Sequence, residues 1–250
     1  MDKKELIKRI IFFVFLAVMI GVVVFIMKRY EVEGEKTLPF NIEKILVIST
    51  VDGKKNEDAQ NLWNISLSQV NDVFIYMNKN EDINKDITIK DITLENFKVS
   101  TTPKKGTLKL YRPTGELNNL YTYSQEDYLN KSLTFTGAKI DDLKNLEISN
   151  IGGVMAFRTA IENLGSYVSN EDVEIAYNGS LLSKVGITLE DIKFNLSFDM
   201  IIQTSDKVFF KGTINTTNFP AGDIITNGRA NTEITDFSNI VFKRIQKNEK

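Results

Sequence analysis

The chain contains no histidine and no cysteine in 250 residues. Without imidazole it can build neither a Ser-His-Asp triad nor a Cys-His dyad, and without imidazole or thiolate it lacks the usual zinc ligands. The missing cysteine also rules out disulfides and a lipid anchor on sulfur, and it suits either redox compartment. The phosphate-cradling loop G-x-x-x-x-G-K-[ST] is absent, as are G-x-G-x-x-G, G-x-S-x-G and Ser-x-x-Lys. Charge of one sign is lacking too: a net charge of −2 supplies no field to recruit nucleic acid. No catalytic, cofactor-binding or metal residue is therefore expected, and the chain reads as a protein that is not an enzyme.

What is present begins with Ile10–Met27, eighteen uncharged apolar residues in a row. As a helix at about 1.5 Å per residue they extend roughly 27 Å, close to the hydrocarbon thickness of a bilayer. A cleaved signal peptide has a shorter apolar core followed by small residues; here Val24-Phe25-Ile26-Met27 runs straight into Lys28-Arg29. The basic clusters at both ends fit a buried core helix poorly. The run predicts an uncleaved membrane anchor at 10–27, preceded by a short leader at 1–9 and followed by a stalk at 28–38. Lys and Arg are balanced across the span. The compact basic leader still places the N-terminus in the cytoplasm, because long domains translocate largely regardless of their own charge. The Asn, Lys and Ile bias resembles an AT-rich bacterial genome. The expected location is thus the cell membrane, with an extracytoplasmic body in a cell envelope.

After Pro39 the hydrophobic period is two, the pattern of half-buried strands. It is clearest from Ile192 to Gln203, where Ile192, Phe194, Leu196, Phe198, Met200 and Ile202 share one face. The turn Thr204-Ser205-Asp206-Lys207 then leads into Val208–Ile214, predicting a hairpin. Further strands are expected at Ile42–Val51, Ile65–Met77, Ile87–Val99, Thr107–Tyr111, Ser132–Thr136, Val154–Ile161 and Ile240–Phe242. Turns are expected at Asp52-Gly53, Pro103–Gly106, Arg112–Gly115 and Gly152-Gly153, with short helical turns at Glu126–Lys131 and Ser180–Val185. The fold class is mostly β: one transmembrane helix, then an antiparallel β-sandwich or jelly-roll-like region.

Ile92–Val99 resembles Ile187–Phe194, Leu67–Tyr76 resembles Ile148–Phe157, and a looser third copy occupies Asp141–Ile148. Each copy of the first motif places a polar pair where a strand would bend or bulge. Read as a duplication, this divides the body into two similar β-domains, 39–125 and 126–245, stacked end to end, with a polar tail at 246–250. The alternative is that amphipathic strands look alike in a chain rich in Ile, Asn and Lys.

Adjacent acids recur, as at Glu126-Asp127, Glu171-Asp172 and Glu190-Asp191, but neighbours on a strand point to opposite faces and make poor catalytic dyads. Asn78–Asp86 alternates oxygen side chains yet lacks the glycine and terminal acid of a calcium loop. Trp63 reads as a core anchor ahead of a carbohydrate platform. Three functions follow. The first is a non-enzymatic binding or structural module whose partners are the membrane, through Ile10–Met27, and a protein or the cell wall. The second handles a lipid or amphiphile along an apolar groove with Phe194, Phe198 and Ile202 facing it. In general plan the chain is similar to single-span proteins of lipopolysaccharide transport, and that likeness implies such a half-open sheet. The third is a carboxylate-dependent hydrolase, which requires acids converging in one cleft.

Overall fold

A computed structural model describes residues 3–29, 38–57, 61–80, 87–117, 120–136, 148–149, 152–172 and 174–246, and among these alternation makes fourteen strands. The first element, α1 (Lys3–Arg29), contains the stretch Glu5–Ile26, long and apolar enough to cross a membrane, with none of it buried against the rest of the chain. A core helix of a soluble body would be covered, so that reading of the apolar run is removed. Of the stalk expected at 28–38, residues 28–29 belong to α1 and 30–37 lie outside the described residues.

The strands are β1 (Phe40–Lys55), β2 (Trp63–Lys79), β3 (Ile89–Thr101), β4 (Thr107–Tyr111), β5 (Pro113–Leu117), β6 (Leu120–Tyr123) and β7 (Leu133–Thr136) in the first half. The second half adds β8 (Ile148–Ser149), β9 (Gly152–Glu162), β10 (Ser166–Ser169), β11 (Phe194–Thr204), β12 (Phe209–Phe219), β13 (Ala230–Ile234) and β14 (Lys243–Ile245). Among the described residues outside the anchor, helix is confined to α2 (Ser180–Lys184), α3 (Ile224–Asn227) and a single 3-10 turn at Leu189–Asp191. One antiparallel sheet runs β13-β1-β2-β9-β4, with β10 and β8 paired to β2 and β9; the second runs β14-β12-β11-β3-β7. Strands β5 and β6 form a separate hairpin.

The two sheets face one another across one core. Phe97 of β3 and Phe198 of β11 meet Phe157 of β9 from the opposite sheet, with all three ring centroids 5.5–5.6 Å apart. This mostly antiparallel sandwich is the expected class, but the division near residue 125 is not how it is built. Strand β2 pairs with β9, β3 with β11 and β1 with β13, so both halves enter both sheets rather than stacking end to end. Nor do the repeated motifs share a conformation. Glu95-Asn96 does bulge β3, with Asn96 at φ 55 and two residues opposing one on β11, which keeps Phe97 inward. Glu190-Asp191 instead closes the 3-10 turn, capped by Thr188. The third copy lies outside the described residues, apart from its last residue.

Three expected turns are strand. Asp52-Gly53 continues β1, paired to Ser68 and Leu67 of β2. A Cβ on Gly53 would stand 2.7 Å from Ile65 Cγ2, so this glycine serves close approach rather than reversal. Of Arg112–Gly115, Pro113 to Gly115 belong to β5, and Gly152-Gly153 opens β9, paired to Ser149 and Ile148 of β8. Ile240–Phe242 is irregular and its strand starts one residue later, at Lys243. The hairpin at 204–207, the turn at 126–131 and the helix at 180–185 stand where expected.

Candidate functional site

Two of the expected strands each carry a lone charge: Asp72 within Ile65–Met77 and Arg158 within Val154–Ile161. The register of β2 on β9 places them directly opposite one another. Both point outward, away from the core, since Val73 and Phe157 beside them point in. Arg158 Nε and Nη2 donate to the two carboxylate oxygens of Asp72 at 2.7 and 3.0 Å, a bidentate fork. Its Nη1 also lies 3.6 Å from Asp52 Oδ2. Burial works against the Arg158 charge, but the Asp72 hydrogen bond and carboxylate outweigh it and raise its pKa.

Alternation brings neighbours to the same outer face. Lys109 and Tyr111 of β4 stand beside Ala160 and Glu162 of β9. Lys109 Nζ bridges Glu162 at 2.7 Å, and the Tyr111 hydroxyl donates a short hydrogen bond to the same carboxylate. Burial pushes the Tyr111 phenol up, with the Glu162 hydrogen bond adding to it. Burial also works to raise the Glu162 carboxyl, but hydrogen bonds from Lys109 and Tyr111 prevail and hold it below the ordinary range.

The β5–β6 hairpin folds over this face. Tyr123 packs on a small cluster of Val70, Tyr111 and Ala160, and its ring lies 4.3 Å from the Arg158 guanidinium carbon. The chain leaving the hairpin is tied down by Asp127 Oδ1, which accepts from the backbone of Leu110 and Leu129. Between hairpin and sheet lies a cleft of about 630 Å³ with Val70 and Ala160 in its floor. Its walls carry Asp52, Lys54, Ser68, Thr122, Ser124 and Gln125 beside the ion-paired groups. The volume falls within the range of small-molecule sites.

Sequence reasoning did not single out this cleft. The one available signal was the isolated charge in each apolar run; which strands would place them together was hidden. Of the adjacent acidic pairs, Glu126-Asp127 and Glu171-Asp172 are exposed and outside the cleft, and Glu190-Asp191 belongs to the 3-10 turn. Glu81-Asp82 and Asp141-Asp142 lie outside the described residues, as does most of the calcium-like loop. Trp63 packs at the core margin, donating to the Glu171 carbonyl at 3.1 Å. Among the described residues no group of three or more acids could hold a metal ion. Phe194, Phe198 and Ile202 are each 1% exposed and belong to the inter-sheet core. Comparison with protein families, with curated proteins and with solved structures returns no match.

On the second sheet Asp199 accepts from Asn96 at 2.8 Å and Thr213 at 2.7 Å and pairs with Lys211 at 3.0 Å. Burial opposes its ionisation, but these donors win and lower its pKa. Asp199 and Glu162 thus ionise more readily folded than unfolded. The stability they contribute is present above the unfolded carboxylate range near pH 4 and is lost as pH falls through the lowered folded values. With no histidine, only the α-amino group titrates near neutrality. The melting temperature is therefore expected to be flat from about pH 5.5 to 8 and to fall below about pH 4. Glu162→Gln with Asp199→Asn should lower the plateau and shallow the acid limb, as read by scanning calorimetry across pH. A stability step between pH 6 and 7 would contradict this account.

Proposed function

We propose that the protein is a single-pass, membrane-anchored binding module of a bacterial cell envelope, without catalytic activity, with its N-terminus in the cytoplasm and its sandwich outside. The observation that carries this is the uncovered apolar helix joined to a closed β-body. Large side chains from Leu6 to Ile26 are 42–63% exposed, an arrangement that only lipid or another apolar partner would satisfy. Contact is assigned to the cleft beneath the β5–β6 hairpin.

The two rival readings draw less support. A lipid trough needs an open apolar sheet face, whereas the Phe194–Ile202 face is covered by the opposing sheet. A hydrolase needs one carboxyl kept protonated at neutral pH. Here Asp72 is held by Arg158, and Glu162 by Lys109 and Tyr111 with its pKa lowered.

A photo-crosslinking residue placed at Thr122, on the cleft rim, in the full chain in native membranes tests the proposal. The expected result is a discrete adduct absent when the crosslinker replaces exposed Ser205 on the far hairpin, together with protease sensitivity of the body from outside the cell only. A mature N-terminus beyond residue 29, or turnover of a wall polymer by the purified protein, would overturn it.

A further inference from the structure

The cleft's chemistry defines what it can hold, and this step rests on the reading of the cleft as a contact site. Two of its three cations are already matched. Arg158 is forked on Asp72, and Lys109 is bridged to Glu162. Lys54 stands two residues from Asp52 on the same face of β1. At either pair an anionic ligand would have to displace a carboxylate at 2.7–3.0 Å from its cation, and a cationic one would have to displace the cation. A neutral ligand need displace neither.

Matched pairs nonetheless keep hydrogen-bonding capacity. A guanidinium has five N–H donors, and Asp72 takes two of those on Arg158. Asp52 is 65% exposed and keeps acceptor lone pairs. Ser68, Ser124 and Gln125 add groups that both donate and accept. The floor is different: Val70 and Ala160, each 3% exposed, lie beneath Tyr123, whose half-buried ring is the apolar surface the cleft presents. A fitting ligand has hydroxyls around its edge, C–H groups on a face and no net charge.

We infer that the cleft beneath the β5–β6 hairpin binds an uncharged polyhydroxylated chain, a glycan, with ring C–H groups on the Tyr123 side chain and hydroxyls on the Arg158, Asp52, Lys54 and Gln125 walls. The test uses the full chain in nanodiscs, with tetra-N-acetylchitotetraose and maltotetraose as probes in titration calorimetry. At least one probe should bind saturably with Kd of about 0.1–1 mM. Its affinity should change less than about twofold between 50 and 500 mM salt, because no ion pair forms with a neutral ligand. Lys54→Ala with Gln125→Ala, both at exposed positions, should weaken binding at least about fivefold, roughly 1 kcal/mol, while leaving the melting temperature unchanged.

Saturable binding lost in that variant supports the inference. Absence of binding by both sugars up to about 10 mM, beyond the range of weak specific sites, overturns it. So does binding that the variant leaves intact, or a site filled instead by inorganic phosphate with steep salt dependence. A Thr122 adduct in membranes alongside sugar-blind calorimetry would remove the glycan while leaving the contact site standing. Loss of the adduct alongside sugar binding would do the reverse.

Discussion

Phe198→Ala should cost about 3–5 kcal/mol of unfolding free energy, the range for deleting a buried phenylalanine. For a body of this size that lowers the melting temperature on the order of 10 °C. Phe198 is 1% exposed and touches rings from both sheets: Phe97 tilted beside it on β3, and Phe157 edge-on from β9. Truncation removes the contact through which one sheet grips the other and leaves a cavity that two rigid sheets cannot collapse to fill. Phe198→Leu keeps most of the volume and should lose well under half as much. The pair of variants also separates the closed sandwich from an open apolar trough. In a trough, residue 198 would face lipid, and its truncation would change co-purified lipid while hardly moving the denaturation midpoint. A loss below about 1 kcal/mol for Phe198→Ala would mean that the sheets do not close over this ring.

That face was readable from sequence because its alternation is uninterrupted: every second residue from Phe194 to Ile202 is apolar, and every one is buried. The anchor was equally legible, since an uncharged apolar run is a local property. What sequence could not show was which strand lies beside which. Asp72 and Arg158 are 86 residues apart and become a pair only through the β2–β9 register. The supposed duplication failed for the same reason. Ile92–Val99 and Ile187–Phe194 share letters, but the first is pinned between β11 and β7 while the second turns on its own Thr188–Asp191 cap and joins a strand only at Phe194, where β11 begins. Glycine was ambiguous as well, because Gly53 marks close packing by Ile65 and Tyr177 where the same dipeptide elsewhere marks a reversal.

The hardest feature to read was polar. Ser49, Gln69, Asn71 and Thr159 occupy inward positions of β1, β2 and β9, and all are 0% exposed. Asn71 is their hub. Its Oδ1 accepts from Ser49 at 2.6 Å and Gln69 at 2.8 Å, and its Nδ2 donates to Gln69 at 3.2 Å and Thr159 at 3.1 Å. Ser49 in turn accepts from the Ala221 backbone at 2.8 Å, linking the loop after β12 to the opposite sheet. Asn71→Leu deletes the hub's four bonds; Gln69 keeps its bond to the Val70 carbonyl and Ser49 the Ala221 N–H, but the Gln69 side-chain carbonyl, the Ser49 hydroxyl proton and the Thr159 hydroxyl lose the partner Asn71 gave them. At about 1–3 kcal/mol for each stranded group, even partial relaxation leaves a loss of about 3–5 kcal/mol. Removing the stranded groups should reverse much of this. Gln69→Met and Thr159→Val added to Asn71→Leu replace polar atoms by apolar ones of similar shape, and the triple variant should be more stable than the single one by at least about 1–2 kcal/mol. Denaturant midpoints at constant m-value measure both differences. If Asn71→Leu alone were neutral, or the triple variant fell further than the single, these four side chains would not act as one hydrogen-bonded unit. If the ordering holds, the network fixes which strands meet and at what register, at some expense in stability that a fully apolar layer would avoid.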